Sequence, residues 1–112
     1  MRTRLHQNPL EHALLIASQL RPLVESIARK DRELASQLRR AASSVALNIA
    51  EGFGTAAGNA RLRFETARGS LYEAEAALRL AVAWGHVPAD GARDALESMH
   101  VLGGRVYGLA RR

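Results

Sequence analysis

Cysteine is absent from the 112 residues, which removes disulfides, thiolate metal sites and cysteine nucleophiles together and fits a cytosolic protein. Aromatic residues make up only 4% of the chain: Phe53, Phe64, Tyr72, Trp84 and Tyr107. With so few, and several of them falling on apolar stripes, stacking of unpaired bases is not the expected mode of any nucleic-acid contact. Prolines number three, too few for a polyproline or disordered segment. Long hydrophobic runs are also missing. No stretch approaches the roughly 18 to 20 apolar residues that span a bilayer, and no basic segment followed by an apolar one opens the chain. A soluble, cytoplasmic protein without a membrane partner is the expectation.

What the chain does contain is arginine. Fifteen arginines and one lysine stand against eleven acids, for a formal net charge of +5 and a pI near 11. Such a balance points to polyanionic partners: RNA, DNA or an anionic surface. With 47% hydrophobic and 24% charged residues, the composition is that of one folded helical domain, small enough that association would help to bury its apolar surface.

The stretch Arg39 to Gly54, RRAASSVALNIAEGFG, organises the rest. Leu34, Leu38, Ala41, Val45, Asn48 and Gly52 recur at steps of four and three, one stripe of a helix. An amide in the middle of that stripe must be hydrogen-bonded if buried, so Asn48 suggests a specified polar contact, the plainer reading being a partly exposed Asn. Gly52 and Gly54 can take positive φ and turn the chain. Before this stretch, Asn8-Pro9 reads as an N-cap with proline at the first helical position. Leu10, Leu14, Ala17, Val24 and Ile27 give the first helix a buried stripe, which Pro22 should kink near Ala17. Asp31 can cap the second helix. Asn59 or Thr55 can cap the third, whose Ala60, Phe64, Ala67, Leu71, Ala74, Leu78 and Ala81 form a heptad seam ended by Gly85. Pro88 opens the fourth, with Ala92, Leu96, Met99, Gly103, Val106 and Ala110 inside. Gly103-Gly104 implies either a close backbone approach or a local bend.

Four helices, over about 9–30, 31–51, 58–84 and 88–110, imply an all-α, antiparallel up-down-up-down four-helix bundle in one domain, 1–112. That topology gathers residues 1–16, 45–68 and 100–112 at one end. Arg2, Arg4, Arg61, Arg63, Arg68, Arg105, Arg111 and Arg112 meet only Glu11, Glu51 and Glu65 there, so the whole net charge collects at that end. Guanidinium forks match phosphate oxygens and stay charged at any cellular pH. Arg61, Arg63, Arg68, Arg105, Arg111 and Arg112 are therefore the candidate nucleic-acid-binding residues, Arg61 and Arg63 first. The plainer reading is solvated charge and ion pairs along the helices.

The ASSVALNIAEGFG segment resembles the NIAEG signature of the 23S rRNA intervening-sequence protein family. RFETARGSLYEAEAALRLAVAWG is similar to that family's third helix, with its Gly69, Ser70 and Glu73. Tyr72, the small apolar segment from Ala56 to Ala60 and the preference for arginine depart from the pattern without touching its core. Arg40, Ser44, Asn48, Glu51, Gly52, Gly69, Ser70 and Glu73 are then the structural signature. An antiparallel pairing centred near Thr55 sets Arg40 near Glu73 as an ion pair, Asn48 level with Arg63 and Ser44 level with Ala67. The resemblance implies a bacterial homo-oligomeric ring, a pentamer, with a basic face or channel. It also implies kinship to bundles that accompany the reverse transcriptases of diversity-generating retroelements. RNA or DNA binding is the leading expectation, and a scaffold or reverse-transcriptase accessory is the alternative.

Catalysis finds little footing. Glu97 and His100 have the Glu-x-x-His spacing of di-iron bundles, but no second copy exists, because His6, His12 and His86 lack a glutamate three residues earlier. No zinc-protease, nucleophile-elbow or phosphate-loop pattern occurs. A non-enzymatic protein without cofactor or metal is expected, with Gly52, Gly54 and Gly58 serving as turn residues.

Overall fold

The computed structural model describes residues 8–112, which form four helices and no strand. They are α1 (Pro9–Ala28), α2 (Arg32–Phe53), α3 (Ala57–Ala83) and α4 (Ala89–Ala110). Local chemistry sets several of the ends. Asn8 Oδ1 accepts from the Glu11 amide at 2.8 Å with Pro9 at the first position, and Asp31 Oδ1 accepts from Leu34 at 3.0 Å. Gly85, at φ 78°, is the only positive-φ residue described. Its amide bonds to Val82 while that of His86 reaches Ala81, both at 2.9 Å, the paired carbonyl capping that glycine at C′ permits. Neither Thr55 nor Asn59 caps α3. Ala56 holds that position without a side-chain bond, and the Thr55 hydroxyl donates to the Ala56 carbonyl instead. Pro88 occupies the cap position of α4, one residue earlier than expected.

Each helix packs on its sequence neighbours, and α4 closes back on α1. The longest dimension, 42 Å, matches the 27 residues of α3 at about 1.5 Å per residue. Ala13, Ile16, Val45, Leu71, Met99 and Leu102 surround one point of the interior, so all four helices share the core. Ile27, Leu38, Ile49, Leu78 and Val106 are fully buried within it. Between them alanines such as Ala67, Ala81 and Ala92 let backbones approach closely, at the cost of burying little area each.

The seam expected for α3 is buried throughout except at half-buried Ala60. On α1 the inward face differs from the expected one. Ala13, Ile16, Leu20 and Ile27 point inward together with His12, while Leu14 and Ala17 are exposed and Leu10 and Val24 half-buried. This helix is apolar around much of its circumference, so periodicity alone offers two faces and packing chooses between them. It also runs on through Pro22. On α2, Ile49 rather than Asn48 completes the buried stripe.

Of the three glycines read as turn residues, only Gly54 is one, capping α2 at φ −98°. Gly52 is helical and buried, and Gly58 lies in the first turn of α3. A Cβ on Gly52 would fall 2.4 Å from Cε1 of Phe64, so this glycine is required by close approach rather than by backbone freedom. At Gly103 and Gly104 no such approach exists: the nearest neighbour of an added Cβ is Leu71 Cδ2 at an ordinary 3.7 Å, and Gly104 faces open space.

Candidate nucleic-acid interface

The antiparallel α2–α3 pair builds one end of the bundle. The half-buried Ser44 and Ser70 hydroxyls bond across it at 2.7 Å, Arg63 Nε meets Glu51 at 3.1 Å, and Gly52 seats the Phe64 ring. Ser44 was expected level with Ala67, so the register is displaced by about one helical turn, and α3 overhangs the end of α2. The expected Arg40–Glu73 ion pair is not made, although this register leaves the two residues nearly level. Both residues are exposed, and Arg40 Nη1 donates to Ser36 Oγ of its own helix at 2.6 Å. Asn48 likewise turns inward on its own helix, donating to the Ser44 carbonyl at 2.9 Å and its hydroxyl at 3.1 Å. The amide thus orients Ser44 for Ser70 instead of contacting Arg63. Gly69 is exposed, and a Cβ there would meet nothing.

The six described arginines of the candidate set do gather at this end. Arg61 and Arg63 lie on the first two turns of α3, with Arg68 further along it; Arg105 lies in the last two turns of α4, and Arg111 and Arg112 just past its end. Contacts between α3 and α4 and between α1 and α4 fix that arrangement: Arg111 Nη1 reaches Glu65 Oε2 at 3.0 Å, and Arg105 Nη1 lies 3.2 Å from His12 Nδ1. Arg2 and Arg4 lie outside the described residues. Ion pairing is more extensive than the charge count suggests. Arg63 pairs with Glu51, and both Arg68 and Arg111 pair with Glu65. Arg61 and Arg112 are exposed and pair with no described acid.

Glu65 is the hub of a polar cluster that the sequence does not reveal. Its two oxygens accept from Arg111 and Arg68, and these two hydrogen bonds, Arg111's first, hold its carboxyl below the ordinary carboxylate value. Arg68 Nη2 also donates to the Tyr72 hydroxyl at 3.1 Å. Its guanidinium carbon lies 5.5 Å from the Tyr72 ring centroid and 5.0 Å from that of Tyr107, and Arg111 lies 4.1 Å over Tyr107. Only Phe64 of the five aromatic residues is buried. Phe53, Tyr72, Trp84 and Tyr107 are all among the exposed large side chains, which overturns the expectation that several would be interior. The i, i+4 spacing of Arg68 and Tyr72, and of Tyr107 and Arg111, was the available signal.

Elsewhere the structure offers less chemistry. Glu97 and His100 are exposed, and among the described residues no three histidine or carboxylate side chains converge as metal ligands would. No described helix is long and apolar enough to cross a membrane.

Fold and interface together define an antiparallel four-helix bundle with a basic end. The chain belongs to the 23S rRNA-intervening sequence protein family, whose model matches residues 7–108. Among solved structures it is similar to a protein of unknown function from the S23 ribosomal protein family of Bacteroides thetaiotaomicron VPI-5482. The TM-score is 0.85 at 14% identity, over 94% of this chain and all of that one, a likeness of fold. No match was found among curated proteins.

Proposed function

We infer that this chain is a non-enzymatic, cytoplasmic protein that binds the backbone of RNA or DNA through its arginine-rich end. The observation that supports this most is the asymmetry of charge. Six described arginines share that end with three glutamates, and Arg61 and Arg112 are left there without an acidic partner among the described residues. The exposed Arg63–Glu51 pair contributes little to stability, so phosphate can compete for Arg63. Displacing counterions from several phosphates makes log affinity fall linearly with log salt, by about 0.7 to 0.9 per neutralised phosphate. Titration of a labelled structured RNA at several salt concentrations therefore tests the reading. Arg61→Glu with Arg112→Glu is expected to weaken binding and flatten the slope by about two phosphate contacts. Unchanged affinity and slope in that variant would count against this end as the site.

A second reading, a protein-docking scaffold, is favoured by exposed apolar side chains at the same end. Leu47, Phe53 and Leu62 are between 52% and 63% exposed, more apolar surface than an isolated small bundle needs to show. Copies of the chain are the first occupants to consider, in the homo-pentameric ring that the family resemblance implies, followed by a reverse transcriptase. A ring would also multiply the basic end.

A further inference from the structure

We propose that Tyr72 and Tyr107, bridged by the guanidinium of Arg68, form a stacking platform for the bases of a single-stranded nucleic acid. This rests on the nucleic-acid reading above and narrows its substrate class.

Tyr72 is 59% and Tyr107 47% exposed, although each directly follows a buried core residue, Leu71 and Val106. A tyrosine that serves only the core hides its ring and leaves the hydroxyl wet. Here about half of each tyrosine is open to solvent, beside the guanidinium groups packed on the rings. Arg68, whose side chain is 22% exposed, stands between them, within cation–π range of both, and Arg111 lies over Tyr107. Glu65 takes one Nη of each guanidinium and the Tyr72 hydroxyl the other Nη of Arg68, which fixes both planes; with five N–H donors on each guanidinium, some remain for phosphate oxygens. Aromatic rings and arginine planes held next to each other are the groups on which unpaired bases stack. In a duplex the base faces are already stacked on one another, so this chemistry selects a single strand. The surrounding surplus of arginine is complementary to its phosphates, and a dry apolar peptide would leave those charges unanswered.

The same network also fastens the end of α4 to α3, and the test separates the two roles. Fluorescence anisotropy of the full chain is measured with labelled oligoadenylate of about 12 nucleotides, within the usual site size for sequence-tolerant single-strand binders, and with an abasic phosphodiester strand of equal charge. Stacking of one base on an aromatic ring is commonly worth about tenfold in affinity. Wild type is expected to prefer the base-bearing strand by about one hundredfold if both rings are used. Tyr72→Ala with Tyr107→Ala should lose that preference and keep its affinity for the abasic strand; Tyr72→Phe with Tyr107→Phe should keep the preference. Both tyrosines are exposed, and circular dichroism checks that the alanine variant is folded. Equal wild-type affinity for the two strands overturns the platform, as does a preference that survives both alanines. If structured RNA still binds with a steep salt slope in the same buffers, the backbone reading stands and only the platform fails. If no nucleic acid binds, both fall.

Discussion

Replacing Gly52 by alanine should destabilise this protein, whereas the same replacement at Gly69 or Gly104 should stabilise it. All three glycines are helical, so alanine brings each up to about 1 kcal/mol of helix propensity. At Gly69 and Gly104 an added Cβ meets nothing within 4 Å, and the gain stands alone. At Gly52 the new carbon would lie 2.4, 2.7 and 2.8 Å from three atoms of the Phe64 ring. That ring cannot simply swing away: Phe64 is 5% exposed, and Phe53 packs edge-on against it at 5.3 Å. Forcing a methyl into a filled core costs about 1 to 3 kcal/mol, which leaves a net loss of about 0 to 2 kcal/mol after the propensity gain. The difference between Gly52→Ala and either control is then about 1 to 3 kcal/mol. For a domain of this size that corresponds to a separation of about 4 to 13 °C in melting temperature. Thermal denaturation followed by circular dichroism measures it. Shortening the ring with Phe64→Leu should make room, so Gly52→Ala in that background is expected to cost less than in the wild type. A Gly52→Ala protein that melts as high as the Gly69→Ala protein would refute the close approach of α2 and α3 at this point.

Three further outcomes follow from the same contacts. Ser44→Ala leaves the half-buried Ser70 hydroxyl without its cross-helix partner and should cost about 1 kcal/mol in denaturant unfolding, with the Ser44→Ala, Ser70→Ala double variant losing less than the two singles together. Asn48→Ala should change stability by less than about 1 kcal/mol, because the lost bonds run within one helix and alanine improves its propensity; a larger loss would mean that Asn48 makes a contact beyond its own helix. Glu65 has its carboxyl held low by Arg111 and Arg68, so its contribution is complete above the ordinary carboxylate value and disappears as pH falls through the lowered one. Glu65→Gln should therefore flatten the acid side of the melting-temperature profile and leave its shape above neutral pH unchanged.

Much of this architecture was legible where local chemistry acts alone. The caps at Asn8 and Asp31, the left-handed Gly85 and the seam of α3 from Phe64 to Ala81 each depend on residues close in the chain, and each is found as expected. What was misread depends on how helices meet. Leu14 and Ala17 of α1 have the same period as the buried Ala13, Ile16 and Leu20, and only the position of α2 and α4 decides which row turns inward. Asn48 and Ile49 are adjacent on α2, and a stripe drifting by a fraction of a turn exchanges one for the other. The α2–α3 register was off by about one turn, which hid both the Ser44–Ser70 bond and the steric need for Gly52. The arginines of the basic end were identifiable because topology alone collects them. Their entanglement with Glu65, Tyr72 and Tyr107 was not, because it needs the rotation of α3 against α4.

The most direct test of nucleic-acid binding by this end of the bundle is the mass in solution by light scattering, with and without a structured RNA, at low and moderate salt. The account requires a rise in mass equal to bound RNA at low salt that disappears at the higher concentration. A mass that RNA leaves unchanged at low salt would contradict it.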